Sequence, residues 1–156
     1  FRNHGKVDKF SVSKFGMVSR MDNLQAAILN YRLGRLDLII NKRRDNAKKY
    51  IEEINQKEIF IPPEMAYEYN TYHTFVVQTS CRDELQKYLL NKGIKTSVHY
   101  PIPIHLQLAF KRLEYKEVNL PVTEKQANEI LSLPIHQYLS DNDIKRVINA
   151  VNSFQS

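Results

Sequence analysis

At 156 residues, 42% of them apolar and 26% charged, the chain is long enough for one domain with its own core, and its composition excludes a disordered or fibrous protein. Twenty-three Lys and Arg against seventeen Asp and Glu give a net charge of +6, a field that favours anionic partners without separating nucleic acid from phosphorylated small molecules. A single cysteine, Cys81, excludes an intrachain disulfide, and no run reaches the roughly 18 apolar residues of a membrane span, so a cytoplasmic protein with no membrane contact is expected.

Residues 1–19 are polar and basic, interrupted by Gly5 and Gly16, and read as loop or short strand. "FRNHGKVDKF" has neither an initiator Met nor a signal-peptide pattern, so a longer polypeptide is expected around this one. Ser19 with Asp22 three residues on predicts a helix start. Apolar residues then recur at Met21, Leu24, Ile28 and Tyr31, and at Leu36, Ile40, Ala47, Ile51 and Ile54, the spacing of one helical face. At 1.5 Å per residue, 21–54 would run about 50 Å, too long for a compact domain of this size. Gly34, which costs about 1 kcal/mol against Ala inside a helix, is the natural break between two helices.

"IPPEM" at 61–65 is extended, because a residue before proline is pushed out of the helical region. "YHTFVVQTS" (72–80), β-branched and aromatic, predicts a strand, and Ser80 then caps a helix over Arg82–Asn91 that buries Leu85, Tyr88 and Leu89 and stops at Gly93. "IKTSVHY" (94–100) alternates Ile94, Thr96, Val98 and Tyr100 as a second strand. Pro121 and a Thr123–Gln126 capping box open another helix, followed by a short strand. A last helix begins at Ser140 with Ile144, Val147, Ile148 and Val151 inward. This order predicts an α+β fold: a loop region over 1–19, a bent helical arm over 20–58 and a small α+β domain over 59–156 packed against helices.

No chemistry follows from composition or spacing alone. The basic run "NKRRDNAKKY" (41–50) reads as a solvated helix face, without the interleaved aromatics of a single-strand nucleic-acid groove. His73, His99 and His105 show no metal-ligand spacing, so no metal site is expected. Cys81 has no sequence-adjacent histidine to activate it, and the four glycines are too scattered for a phosphate loop.

Four stretches taken together, "RNHG" (2–5), "SRMDNLQAAIL" (19–29), "HYPIPIHLQ" (99–107) and "LPVTEKQANEILSLPIH" (120–136), resemble the C-terminal part of DegT-type nucleotide-sugar aminotransferases. The resemblance implies the bent arm and the small domain, an antiparallel sheet flanked by helices, of a fold-type I pyridoxal-phosphate enzyme. Such an enzyme replaces a keto group on a nucleotide-linked sugar with an amine drawn from glutamate, in amino-sugar or cell-surface polysaccharide biosynthesis. It implies a homodimer with sites shared across the interface. The Schiff-base lysine and the acid facing the pyridine nitrogen are expected upstream of "RNHG", so the fragment alone is expected to be inactive.

Residue by residue, the resemblance assigns substrate contacts to Arg20, His99 and Tyr100. Pro101 and Pro103 stiffen the exit that presents the last two, and His105 is expected to serve structure. "GMVSR" (16–20) departs from the family's G-x-N-x-R loop, with Val18 where an Asn donates to the cofactor phosphate. Ser19 or a backbone N–H would then have to substitute. The alternative is a non-catalytic paralogue or regulator that binds a sugar nucleotide or a partner protein. No nucleic-acid partner is expected.

Overall fold

In the computed structural model, the structure describes residue 3, residues 6–111 and residues 118–155. It divides into two compact units, residues 1–38 and 39–156. Of the "RNHG" stretch, Arg2, His4 and Gly5 lie outside the described residues.

In the first unit the chain doubles back through antiparallel bridges between Asn3 and Val18 and between Lys6 and Val12. Asp8 shapes the turn, its Oδ1 accepting from the backbone N–H groups of Phe10 (2.7 Å) and Ser11 (2.8 Å). Helix α1 spans Asn23–Leu33. Its N-cap is Asp22, not Ser19, and the Asp22 N–H donates to Gln25 Oε1 at 3.4 Å. A carboxylate one residue before the helix displaces the weaker Ser–Asp pairing read from sequence. α1 buries no residue, and Leu24, Ile28 and Leu36 are exposed. The helix breaks at Gly34–Arg35, and α2 runs Leu36–Glu53, so both the break and the end of the second helix fall where the periodicity places them.

The second unit is built on a two-stranded antiparallel sheet, β1 (Phe75–Gln78) against β2 (Ile130–Leu133), with Phe75 opposite Leu133 and Gln78 opposite Ile130. Single bridges, Phe60 to Gln78 and Ser97 to Ser132, extend it by one pair on each side. Residues 94–100 therefore make one bridge, not a strand. Pro101 and Pro103 follow and lack the N–H that would continue a ladder.

One sheet face carries the core. Phe75, Val77, Leu131 and Leu133 point there by strand alternation and meet Ala47 and Tyr50 of α2. Helix α3 (Arg82–Asn91) adds Leu85 and Leu89, both fully buried. The residue before α3 is Cys81, not Ser80, and no side chain caps it. Gly93, at φ +76°, ends the turn beyond α3 in the left-handed region that favours glycine.

A 3₁₀ turn, Ile104–Leu106, and a short helix α4, Leu108–Lys111, follow. Helix α5 (Pro121–Glu129) begins at Pro121 with Leu120 before it, leaving Thr123 inside the helix and not at its cap. Helix α6 (Asp141–Asn152) starts at Ser140, whose Oγ accepts from the Asp143 N–H at 3.2 Å. Its Ile144, Val147, Ile148 and Val151 are all buried, as the 3.6-residue period requires.

Three residues of the basic run on α2, Arg43, Arg44 and Lys49, are tethers, while Lys48 stays on the solvated face. Arg43 donates to the carbonyls of Tyr72 (2.9 Å), His73 (3.1 Å) and Ile135 (3.2 Å), which belong to irregular segments without ladder partners. Arg44 pairs with Glu64 at 2.7 Å and donates to the Asn70 carbonyl, while Lys49 reaches Asp141 of α6 at 2.6 Å. Tyr50 donates to the carbonyl of Pro134 at 2.8 Å, and Asn46 Nδ2 to that of His136 at 3.0 Å, fastening the exit of β2 to α2.

Candidate functional site

β2 fixes the first half of the site. Alternation sends Leu131 and Leu133 into the core and leaves Ser132 on the opposite face, where the bridge from Ser97 covers it. His99, two residues past that bridge, brings Nδ1 to 3.0 Å from Ser132 Oγ. Ser132 is 6% exposed, so this bond is sheltered and anchors the ring. Nε2 of His99 has no partner among the described residues.

Tyr100 follows through a cis peptide, its ring edge-on to that of His99 at 5.6 Å between centroids, and it is largely exposed. His99 and Ser132 border a notch of about 160 Å³ that also takes in His73, Lys95 and Thr96. That volume is below the ~300–1,000 Å³ of complete small-molecule pockets, so the notch is too small to enclose a drug-sized molecule.

His105 sits beneath this loop. It is buried in the 3₁₀ turn, with Nε2 at 3.0 Å from Glu124 Oε1 on α5. The bond to His105 is the main reason the Glu124 carboxyl is held below its ordinary value. The pair anchors the segment after Tyr100 to α5, which makes His105 structural.

In the first unit Val18, Ser19 and Arg20 follow one another on an exposed segment between the Val18 bridge and the Asp22 cap. Arg20 donates no hydrogen bond among the described residues, and Val18 offers only backbone groups for an anion. The Ser19 hydroxyl and the Arg20 guanidinium suit a phosphate end by their donor chemistry. Among the described residues no group of three or more His, Cys, Asp or Glu could hold a metal ion, and no helix is long and apolar enough to cross a membrane.

Sequence reasoning brought out His99 and Tyr100 but missed Ser132, the residue that holds His99. The only signal was a small polar residue within the apolar run "ILSLP", and its partner lies 33 positions away.

The small antiparallel sheet flanked by helices is an α+β fold shared with solved fold-type I sugar aminotransferases. The chain belongs to the DegT/DnrJ/EryC1/StrS aminotransferase family, which it matches over residues 1–152. It is 38% identical over 156 residues to a pleiotropic regulatory protein of Geobacillus stearothermophilus, covering 98% of this chain and 42% of that one. It is 37% identical over 153 residues to the dTDP-3-amino-3,6-dideoxy-alpha-D-galactopyranose transaminase of Aneurinibacillus thermoaerophilus, with the same two coverages of 98% and 42%. Its structure resembles that of S. venezuelae DesV with a TM-score of 0.89 at 38% identity, over 97% of this chain and 41% of DesV. The chain thus spans about two fifths of the relatives it matches.

Proposed function

We propose that these residues form the C-terminal portion of a pyridoxal-phosphate-dependent aminotransferase that converts a keto group on a nucleotide-linked sugar to an amine, with glutamate as donor. The observation that carries this reading is the family match across residues 1–152. The 37% identity to a dTDP-sugar transaminase supports the substrate class. We assign residues 1–19 to the large-domain side, 20–58 to the arm and 59–156 to the small domain. The working protein is a cytoplasmic homodimer with sites shared across the interface.

Bound cofactor supplies the electron sink of the reaction. This chain's residues bind and orient. Ser19 and the backbone beside Val18 take the phosphate end, the place the family gives to an asparagine. Arg20 presents a planar, permanently charged fork that pairs with a diphosphate or carboxylate. His99, fixed through Nδ1 by Ser132, offers Nε2 to the sugar nucleotide, and Tyr100 offers a ring face and a hydroxyl. The 156 residues alone do not transaminate, because the lysine that must carry the proton transfer is not among them.

A second reading, a regulator that binds without catalysis, is favoured by Val18 and by the name of the Geobacillus relative. Amination kinetics of the full-length polypeptide on dTDP- and UDP-linked keto-sugars decide between them. Arg20→Gln, His99→Gln and Tyr100→Phe raise KM for the sugar nucleotide if the assignment holds. Turnover that is indifferent to all three removes these residues from the site.

A further inference from the structure

A second cleft, sharing no lining residue with the His99 notch, opens where the turn after α3 meets α6. Its volume of about 570 Å³ is that of a small-molecule site. The sequence of α6 builds it directly. Asn142, Lys145, Arg146, Asn149 and Ser153 recur at helical spacing along one face, beside the apolar stripe that enters the core. Lys92, at the end of α3, closes the other side.

Gly93 makes the close approach workable. A Cβ there would meet Arg146 Nη2 at 2.9 Å, so only glycine lets the guanidinium lie against the turn. Nη2 donates to the Lys92 carbonyl, which pins one end of the fork and leaves its other donors uncommitted. The Lys92 ammonium rests 4.9 Å from the centre of the Tyr88 ring.

Among the described residues, no carboxylate lines the cleft. The two nearest acids in sequence are engaged elsewhere: Asp141 holds Lys49 at 2.6 Å, and Asp143 closes the α6 cap by accepting from Ser140 N at 3.0 Å and Oγ at 2.6 Å. Lys92, Lys145 and Arg146 form no ion pair among the described residues. The nearest opposite charges, Asp141 toward Lys145 and Asp143 toward Arg146, lie outside the lining, so a multivalent anion in the cleft can draw on all three cations. Two carboxamides and a hydroxyl supply further neutral donors. Among the described residues no aromatic ring lines the cleft, so recognition rests on charge and hydrogen bonds and not on stacking of a base.

From this geometry we infer a binding site for a polyphosphate group, the diphosphate or triphosphate of a small molecule, separate from the aminotransferase site. The probes are inorganic pyrophosphate and tripolyphosphate, titrated into the chain at low salt and followed by amide chemical shifts. Saturable shifts are expected at residues 92–94 and 142–153. Lys145→Gln and Lys92→Gln should each weaken pyrophosphate about fivefold, the loss of one charge contact near a wet surface. Lys48→Gln, on α2 outside the cleft, should leave affinity unchanged, with circular dichroism confirming that all three variants fold. The inference is overturned by absent saturation, by equal weakening in Lys48→Gln, or by tighter binding of a polyglutamate peptide, which would make the cleft a protein-docking surface.

Discussion

Tyr50 tests how the sheet that carries Ser132 is held. Its side chain is fully buried, its ring stands 4.9 Å from that of Phe75, and its hydroxyl donates to the Pro134 carbonyl at the exit of β2. Tyr50→Phe keeps the ring and deletes one neutral hydrogen bond, stranding the acceptor, for a loss of about 1–2 kcal/mol. In a unit of this size that lowers Tm by about 3–6 °C. Tyr50→Ala also removes the ring and opens a cavity, for about 3–5 kcal/mol.

The phenol adds an alkaline signature, because burial raises its pKa above the ordinary tyrosine value. A group whose folded pKa is raised contributes stability that is fully present below the unfolded pKa, about 10, and is lost as pH rises beyond it. The native chain should therefore lose stability above pH 10 more steeply than Tyr50→Phe. Urea unfolding at pH 7 and across the alkaline range measures both effects. A Tyr50→Phe variant as stable as the native chain, with the same alkaline slope, would refute the clamp.

Three further expectations follow from particular contacts. Ser132→Ala should change the His99 imidazole nitrogen shifts by removing its Nδ1 partner, at a stability cost of about 1 kcal/mol; unchanged shifts would show that Ser132 does not position the ring. Gly93→Ala should destabilise by about 1–2 kcal/mol, since an L residue at positive φ is strained and its Cβ must displace Arg146, whereas Gly34→Ala, at φ −62° with its Cβ in ordinary contact 3.8 Å from the Tyr31 carbonyl oxygen, should be neutral or stabilising by up to ~1 kcal/mol. Equal thermal shifts for the two glycines would contradict that contrast. Glu64 is pulled down to about 2, first by the hydrogen bond from Arg44. Its contribution is present above the unfolded pKa of about 4.3 and lost as pH falls toward 2, so Glu64→Gln should flatten the acid limb of a stability profile.

Much of this was legible in the sequence because it is local. The bounds of α3, the break at Gly34 and the inward face of α6 follow from spacing and caps within a few residues. The start of α1 is misread because Ser19 and Asp22 are both capping-competent and lie close together, whereas α3 and α5 begin where expected but without the Ser80 and Thr123 side-chain caps. Residues 94–100 carry strand alternation, but pairing needs a neighbour, and the proline pair ends it after Ser97. Arg43 and Arg44 read as solvated charge because their acceptors, the carbonyls of Asn70, Tyr72, His73 and Ile135 and the Glu64 carboxylate, come from distant loops. Ser132 was invisible for the same reason. Val18 was readable only against the family pattern.

The most direct test is glutamate-dependent amination of a dTDP-linked keto-sugar by the full-length polypeptide, run beside the 156-residue chain. Amine product from the first and none from the second is the predicted result. A full-length protein that binds the cofactor yet aminates no keto-sugar nucleotide would contradict the account and leave the regulator.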